Sequence, residues 1–436
     1  MSASEQPAGA GAAAGADPAD EEGFRALCTA WLAERWPLRP AEESVTWGEG
    51  SDSVAVFHRL TTEEERALLD RALAWQAEKF AAGFGALAVP ARFGGMDLPR
   101  AFERIFREEE ARFAVPAGHE AMRITVNMLA PTILAVGTEV QQDRFVRSFL
   151  GGRELCCQLF SEPGAGSDLA GVATRAERDG DSWVVNGSKV WASGARFAQW
   201  GELLARTDPD APKHAGMTAF MLDMSTPGVE VRPIRQMSGG ASFNEVFFTD
   251  VRIPDDMRLG EPGSGWKVAL TTLGFERGQS GSKVGVGASW PQLRALATWS
   301  GGTADPKVRQ DLMRVYSHET LRRLTRQRAE AASRAGGAPG PEGSLGKLLW
   351  VQGLLEISDV AARLLGPRLA ADSGEWGTFA WNEHIQGSLG YRLAGGSDEI
   401  QRNIIAERVL GLPPEPREDR STPWRDLVGR SKAARS

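Results

Sequence analysis

Cysteine is scarce: Cys28, Cys156 and Cys157 are all the chain contains. Three thiols, two of them adjacent, make neither a disulfide framework nor a zinc site, because neighbouring cysteines bridge only through a strained ring. A reducing cytoplasm is the expected setting. Long hydrophobic runs are missing too; no stretch of about 18 uncharged apolar residues exists, so no membrane span is expected. Positive charge is not in excess, with 50 Lys and Arg against 57 Asp and Glu for a net −7. Nucleic acid is therefore not expected as the main partner, since a phosphate-binding surface needs a cationic surplus. His58, His119, His214, His318 and His384 lack ligand spacing, and no metal is expected. There is no GxSxG elbow, no Walker loop and no GxGxxG after a strand, which argues against common serine hydrolases and Rossmann dinucleotide sites.

What is present divides into blocks of different texture. The 436 residues, 42% of them hydrophobic, are enough for two or three domains or subdomains. Residues 1–21 are Ala/Gly-rich, lack the cationic start of a signal peptide, and read as a disordered tail. Residues 22–153 are helical in pattern: LTTEEERALLDRALAWQAEKF offers Thr62 as a cap, acids in the first turn, and Leu68, Leu69, Ala72 and Trp75 at helical spacing. Residues 154–258 shift to short β-rich runs such as SWVVNGSKVWAS and FNEVFFTDVRIP, divided by Gly, Pro, Asn and Asp, which describes an antiparallel barrel or sandwich. Long helices return over 259–414, and 415–436 is polar, proline-broken and read as tail. Helices, then strands, then helices make an α+β fold with segregated layers.

Three stretches carry candidate chemistry. Gln158–Ser193 joins a glycine-rich acidic loop to a strand ending in Trp191, Ala192 and Ser193; Gly164 and Gly166 let main-chain N–H groups approach a ligand, and Trp191 offers a flat face to a heteroaromatic ring. Either half alone is also explained by a surface turn or a core tryptophan; the pairing points to a cofactor. Gly395-Gly396-Ser397-Asp398-Glu399 runs into a helix start, which is either an ordinary cap or a site for a cofactor oxygen. In WKVALTTLGFERG, Glu276 extends an apolar stripe of Trp266, Ala269, Leu270 and Leu273. A carboxylate there is an ion-pair partner, of Arg277 for instance, or a base whose pKa is raised in an apolar cavity.

FSEPGAGSD, VNGSKVWAS, FNEVFFTDVRIP, LGFERG and SDEIQRNIIAERVLGLP, in this order, resemble the acyl-CoA dehydrogenase family over about Glu22 to Pro414. The resemblance implies an N-terminal helical domain, a middle antiparallel β domain and a C-terminal four-helix bundle, with FAD between the β domain and a partner's bundle. It implies a flavin loop over Gln158–Ser167, with Phe160 and Ser161 toward the pyrimidine side, Gly166 within it, and Ser167 near both cofactor and acyl-CoA. Trp191 would pack on the isoalloxazine and Ser193 would meet N5. Gly396, Ser397, Asp398 and Glu399 would meet the cofactor, Gly396 and Arg277 also the substrate. The family's usual base position is Gly395 here; a minority of members carry the base before an arginine on the bundle's first long helix, which is Glu276 before Arg277. Gly274 stands where an aspartate often contacts the pantetheine, and no arginine-x-phenylalanine-glycine segment occurs between Ser280 and Asp311.

The implied activity is α,β-dehydrogenation of an acyl-CoA thioester to the trans-2-enoyl-CoA. Electron-transfer flavoprotein or a similar acceptor, and a homo- or heterotetramer or dimer, are the implied partners. An FAD-dependent oxidase or hydroxylase on the same fold, and a non-catalytic subunit of a heteromer, stay open as alternatives.

Overall fold

Acids and hydroxyls decide where the first helices start. The computed structural model describes residues 12–15, 17, 20–39, 45–279, 286–334, 342–416, 419 and 421–427. Helix α1 (Glu21–Ala33) begins behind Asp20, whose carboxylate accepts from the Gly23 N–H at 2.7 Å. The cap of α2 (Thr62–Ala81) falls one residue before the expected one: Thr61 and Glu64 exchange side-chain bonds in a capping box, and Thr62 is already helical. Leu69, Ala72 and Trp75 of α2 are buried, Leu68 only partly. Then come α3 (Arg100–Glu110), α4 (Glu120–Ile124), α5 (Ala130–Val136) and α6 (Glu139–Leu150), with a π-helical turn, Thr125–Leu129, joining α4 to α5.

The middle block is one eight-stranded sheet: β1 (Cys156–Leu159), β2 (Arg175–Asp179), β3 (Ser182–Ser193), β4 (Trp200–Arg206), β5 (Met217–Asp223), β6 (Val229–Ile234), β7 (Phe243–Pro254) and β8 (Arg258–Leu259). The order is β6-β7-β3-β2-β4-β5-β8, with β1 on β4. It is mostly antiparallel, as expected, but β1 and β2 both pair parallel to β4. Phe145, Phe149, Trp200, Met221 and Leu259 form the core between this sheet and the N-terminal helices. Leu159, Trp183, Phe220, Leu222 and Ile253 form a second core on the sheet. Each such side chain contributes roughly 1.5–3 kcal/mol relative to exposure.

Helices α7 (Gly265–Gln279), α8 (Trp290–Trp299), α9 (Pro306–Arg334), α10 (Glu342–Leu365), α11 (Ala380–Ser388) and α12 (Asp398–Ile404) form the last block, where α10 packs on α8, α9 and α11. The expected α+β layering is thus present. Among the described residues no helix is long and apolar enough to cross a membrane.

Three segments cross the block boundaries read from sequence. The connection before α2 enters the bundle, where Val54 is buried and Trp47 stacks on Trp299 at 4.6 Å. Within the stretch read as an N-terminal tail, Ala13 is fully buried and its N–H bonds the Ala82 carbonyl at 3.0 Å. Of the stretch read as a C-terminal tail, Trp424 bonds through its N–H to the Ala211 carbonyl at 3.0 Å, and the Arg206 guanidinium lies 4.8 Å over its ring.

Candidate active site

The glycine-rich loop is held from below by a buried ion pair. Lys189 is fully buried, and its Nζ donates to Glu162 Oε1 at 2.7 Å and to the Phe160 carbonyl at 2.9 Å. Glu162 also accepts from the N–H groups of Ala173 at 2.7 Å and Thr174 at 2.9 Å. Burial pulls the Lys189 ammonium down to about 8, a fall that Glu162 limits. Burial works against the Glu162 carboxylate, but Lys189 and the two N–H donors hold it below its ordinary value, so the pair remains ionic at neutral pH. Sequence reading passed over Lys189; the available signal was a lysine among valines in a strand, downstream of an acid in a glycine loop.

Above this pair the loop is open. Phe160 is buried, and the Ser161 carbonyl accepts from the Val190 N–H at 2.9 Å, which ties the loop to β3. Gly166 and Ser167 are exposed at the crest. Neither Gly164 nor Gly166 has a positive φ, and a Cβ on either would meet nothing within 4 Å. These glycines keep the crest bare for main-chain approach rather than serving a left-handed turn. Gln158 points a buried Nε2 that has no hydrogen-bond partner.

Trp191 leaves the ladder. The β3–β7 register shifts between Lys189 and Ala192, and Trp191 adopts φ +63 with 57% of its surface exposed. A bulky residue in the left-handed region costs about 1–3 kcal/mol and persists where surroundings impose it. Its ring stands edge-on to Phe243 at 5.9 Å. From there a wall of rings runs through Phe57, 5.3 Å from Phe243, to Tyr391, stacked on Phe57 at 4.9 Å. Ser193, half-buried, ends β3 opposite Phe243.

The second glycine pair is a tight turn. Gly395 and Gly396 have φ +66 and +84, and Gln401 Nε2 donates to the Gly395 carbonyl at 2.8 Å. A Cβ on Gly396 would lie 2.6 Å from that Nε2. Of the two readings of this helix start, the cap is seen: Ser397 accepts from the Ile400 N–H at 3.4 Å, at the head of the seven-residue α12. Asp398 is buried between Lys347 at 3.0 Å and Arg392 at 3.2 Å, while Glu399 is exposed with Arg402 at 4.0 Å.

Glu276 comes to this turn from α7, with its Oε1 3.6 Å from the position a Cβ on Gly395 would take. Two positions 119 residues apart in the chain, 395 minus 276, thus converge on one point. Beneath, Ala269, Leu273 and Trp266 pack with Phe160 and Val172, so α7 underlies the glycine-rich loop; Leu270, placed on the same stripe by sequence, is instead 39% exposed. Thr272 donates to buried Glu202 at 2.8 Å, and burial pushes that carboxyl up to about 8. Arg277 continues α7, but its side chain lies outside the described residues, as does the 280–285 segment. Gly274 is exposed with open space around a Cβ.

The histidines are less scattered than their spacing suggests. His119 Nε2 lies 3.1 Å and His58 Nε2 3.6 Å from Glu65 Oε1, close enough in principle to hold a cation. His119 Nδ1, however, accepts from the Ala121 N–H at 3.1 Å, which places the proton on Nε2, and Arg196 pairs with the same carboxylate. The cluster reads as a hydrogen-bonded cap on α4.

Comparison with known proteins bears on the whole arrangement. Residues 56–153, 157–251 and 263–410 match the N-terminal, middle and C-terminal domains of acyl-CoA dehydrogenases. The "Acyl-CoA dehydrogenase IpdE1" of Mycobacterium tuberculosis is 40% identical over 400 residues, covering 91% of this chain and 99% of the relative. The chain belongs to the acyl-CoA dehydrogenase family. It is an oxidoreductase acting on acyl-CoA.

Two solved structures align over most of the chain. A variant of the "Tcur3481-Tcur3483 steroid ACAD" aligns with TM-score 0.69 and 25% identity, covering 92% of this chain and all, 100%, of that one. The "ChsE4-ChsE5 complex from Mycobacterium tuberculosis" aligns with TM-score 0.66 and 25% identity, covering 90% and 98%. Proteins of this family are flavoproteins. Arg123 and Tyr391, from a different helix and a distant turn, feel the Glu276 carboxylate electrostatically, a grouping that sequence reading did not find.

Proposed function

We propose that Glu276 is the base of this acyl-CoA dehydrogenase and that FAD lies against the loop Gln158–Ser167, the Trp191 face and the Gly396–Glu399 turn. The observation that carries the first half is the 3.6 Å between Glu276 Oε1 and the Cβ position of Gly395. A carboxylate grown from either residue would reach the same substrate atom, so the glycine makes room for the base rather than marking its loss. Three features support FAD: the unpartnered Gln158 Nε2, the exposed Trp191 ring, and the bare crest around Gly166 and Ser167. These residues fit a flat ring with hydrogen-bonding edges.

In this reading Phe160 and Ser161 line the ring's polar edge, and Ser193 offers its hydroxyl beside Trp191. When bound, FAD supplies the acceptor for the two electrons and the β-hydrogen that leave the acyl chain. Glu276 takes the α-proton onto its carboxylate as the Cα–Cβ double bond forms. Backbone N–H groups at Gly395–Gly396 orient the thioester carbonyl and stabilise the enolate-like charge, an effect on the order of 3 kcal/mol for one well-aimed donor. Ser167 flanks the path of the pantetheine, and Arg277 is the further substrate-binding candidate.

Bulky, ring-containing acyl groups are the proposed substrate class. The wall of Phe57, Tyr391 and Phe243 and the steroid enzyme among the structural relatives support it. The two structural relatives named as pairs of proteins, together with exposed Met313, Leu321 and Leu324 on α9, support assembly with further chains, identical or sister. Electron-transfer flavoprotein is the proposed acceptor class.

The test is turnover of FAD-reconstituted protein with an artificial acceptor on straight-chain, branched and steroid-derived acyl-CoAs. A product two hydrogens lighter, formed fastest from the ring-containing thioester, is expected. Protein that binds no FAD, or that consumes oxygen with no acceptor present, would overturn the reading.

A further inference from the structure

We propose that the C-terminal segment 421–427, together with Asp419, is a strap that holds the glycine-rich loop in its cofactor-binding shape, acting through two cations, Lys213 and Arg206. The proposal rests on the reading that FAD lies against this loop. Sequence assigns the segment to a tail, yet it joins the β domain backbone to backbone. The Trp424 and Arg425 N–H groups donate to the carbonyls of Ala211 and Pro209, each at 3.0 Å, Pro423 lies in antiparallel register with Pro212, and Arg425 forms an ion pair with Asp210. The turn so captured, residues 209–212, belongs to the connection between β4 and β5.

Each cation carries the contact on to the loop. Lys213 Nζ lies 2.5 Å from Asp419 Oδ2 and donates to Asp168 Oδ1 at 3.0 Å, so one ammonium ties the strap to the residue after Ser167. Arg206, at the end of β4 and only 3% exposed, donates from its guanidinium to the carbonyls of Ala170 at 2.6 Å, Val172 at 3.2 Å and Lys213 at 2.7 Å. The Trp424 ring lies 4.8 Å from that guanidinium, a cation–π contact that burial strengthens. The two links are separate, one ionic from Asp419 and one aromatic from Trp424, and both end within residues 168–172. Asp168 is exposed, so the ionic link is the weaker of the two.

The loop needs this second hold. A Cβ on Gly164 or Gly166 at its crest would meet nothing within 4 Å, and the Lys189–Glu162 pair anchors its base through Phe160, Ala173 and Thr174. The strap grips the limb that descends from Ser167. It also begins at the other wall of the site: the chain leaves α12 through the π-helical turn Ile405–Val409 and crosses to the β domain along exposed residues 410–416. One continuous stretch therefore connects two of the surfaces proposed to meet FAD.

The experiment reads the loop and the cofactor separately in the full-length chain, comparing wild type with Trp424→Ala, Trp424→Phe, Asp419→Asn, Lys213→Met and the Lys213→Met/Asp419→Asn double variant. Hydrogen exchange of the apoprotein reports on the loop, and titration of the apoprotein with FAD, followed by flavin fluorescence, reports on the cofactor. In Trp424→Ala the amides of Gly171, Ala173 and Thr174, all hydrogen-bonded in the intact loop, should exchange about tenfold faster, and FAD should bind about tenfold more weakly. Trp424→Phe keeps a ring over Arg206 and should return both toward wild type. Lys213→Met should weaken FAD about two- to fivefold. Because Asp419 acts through Lys213, the double variant should bind FAD no more weakly than Lys213→Met alone. Wild-type exchange at these amides in Trp424→Ala, or an Asp419→Asn penalty that adds in full to that of Lys213→Met, would overturn the proposal. So would exchange that quickens evenly along the whole chain, the mark of a segment that adds only global stability. Should Trp424→Ala fail to fold, the Lys213→Met and Asp419→Asn cycle, read by exchange, still decides. Faster loop exchange in Trp424→Ala beside a wild type that binds no FAD would refute the loop as a cofactor site while upholding the strap's grip on it.

Discussion

Glu202 tests whether the platform behind the base is built as described. It is fully buried on β4, accepts from the Thr272 hydroxyl at 2.8 Å, and has its carboxyl pushed from 4.5 to about 8 by burial. Its folded pKa is raised above the unfolded one, so its contribution to stability is complete below about pH 4.5 and is lost progressively as pH rises to about 8. The gap corresponds to roughly 5 kcal/mol as an upper limit, at about 1.4 kcal/mol per pH unit. Glu202→Gln keeps the shape and an acceptor for Thr272 but cannot ionise. Urea unfolding at pH 5, 7 and 8.5 should therefore show the stability of wild type relative to the variant falling with rising pH, by up to a few kcal/mol across the series. Parallel stability curves for the two proteins would refute the assignment of a neutral buried carboxyl, and with it the idea that α7 is clamped to the sheet by a protonated group.

Other perturbations separate the parts of the site. Lys189→Met leaves Glu162 buried without its cation and should cost about 3–5 kcal/mol in unfolding free energy together with FAD affinity; adding Glu162→Gln should recover part of both, measured by denaturation and flavin content. Gly396→Ala places a methyl 2.6 Å from Gln401 Nε2, whereas Gly395→Ala meets Glu276 Oε1 at an ordinary 3.6 Å. Both incur a left-handed φ at about 1–2 kcal/mol, so the melting temperature should fall clearly further for Gly396→Ala than for Gly395→Ala.

Much of this is legible in the amino-acid sequence alone. The FSEPGAGSD loop and Trp191 can be paired because glycine-rich loops and aromatic strand ends are local signals, and Glu276 can be singled out because helical phase is local as well. What stays hidden depends on chain segments meeting. The cation beneath the loop, Lys189, reads as an ordinary strand lysine until Glu162 folds over it. Arg123 and Tyr391, far from Glu276 in sequence, come within its electrostatic reach only in the folded chain. His58, Glu65 and His119 gather across a loop and two helices with no spacing to announce them. At the helix start of Ser397 a hydroxyl cap and an open anion site look alike in sequence, and only the folded chain shows the Ser397 hydroxyl accepting from the Ile400 N–H.

The central claim, that Glu276 performs the proton abstraction, is tested most directly by mixing FAD-loaded Glu276→Gln with a good acyl-CoA substrate under anaerobic conditions and following the flavin absorbance. Wild type should bleach within its turnover time, while the variant should remain yellow, bind the thioester, and bleach about 10²–10⁴-fold more slowly. Bleaching at the wild-type rate would contradict the account.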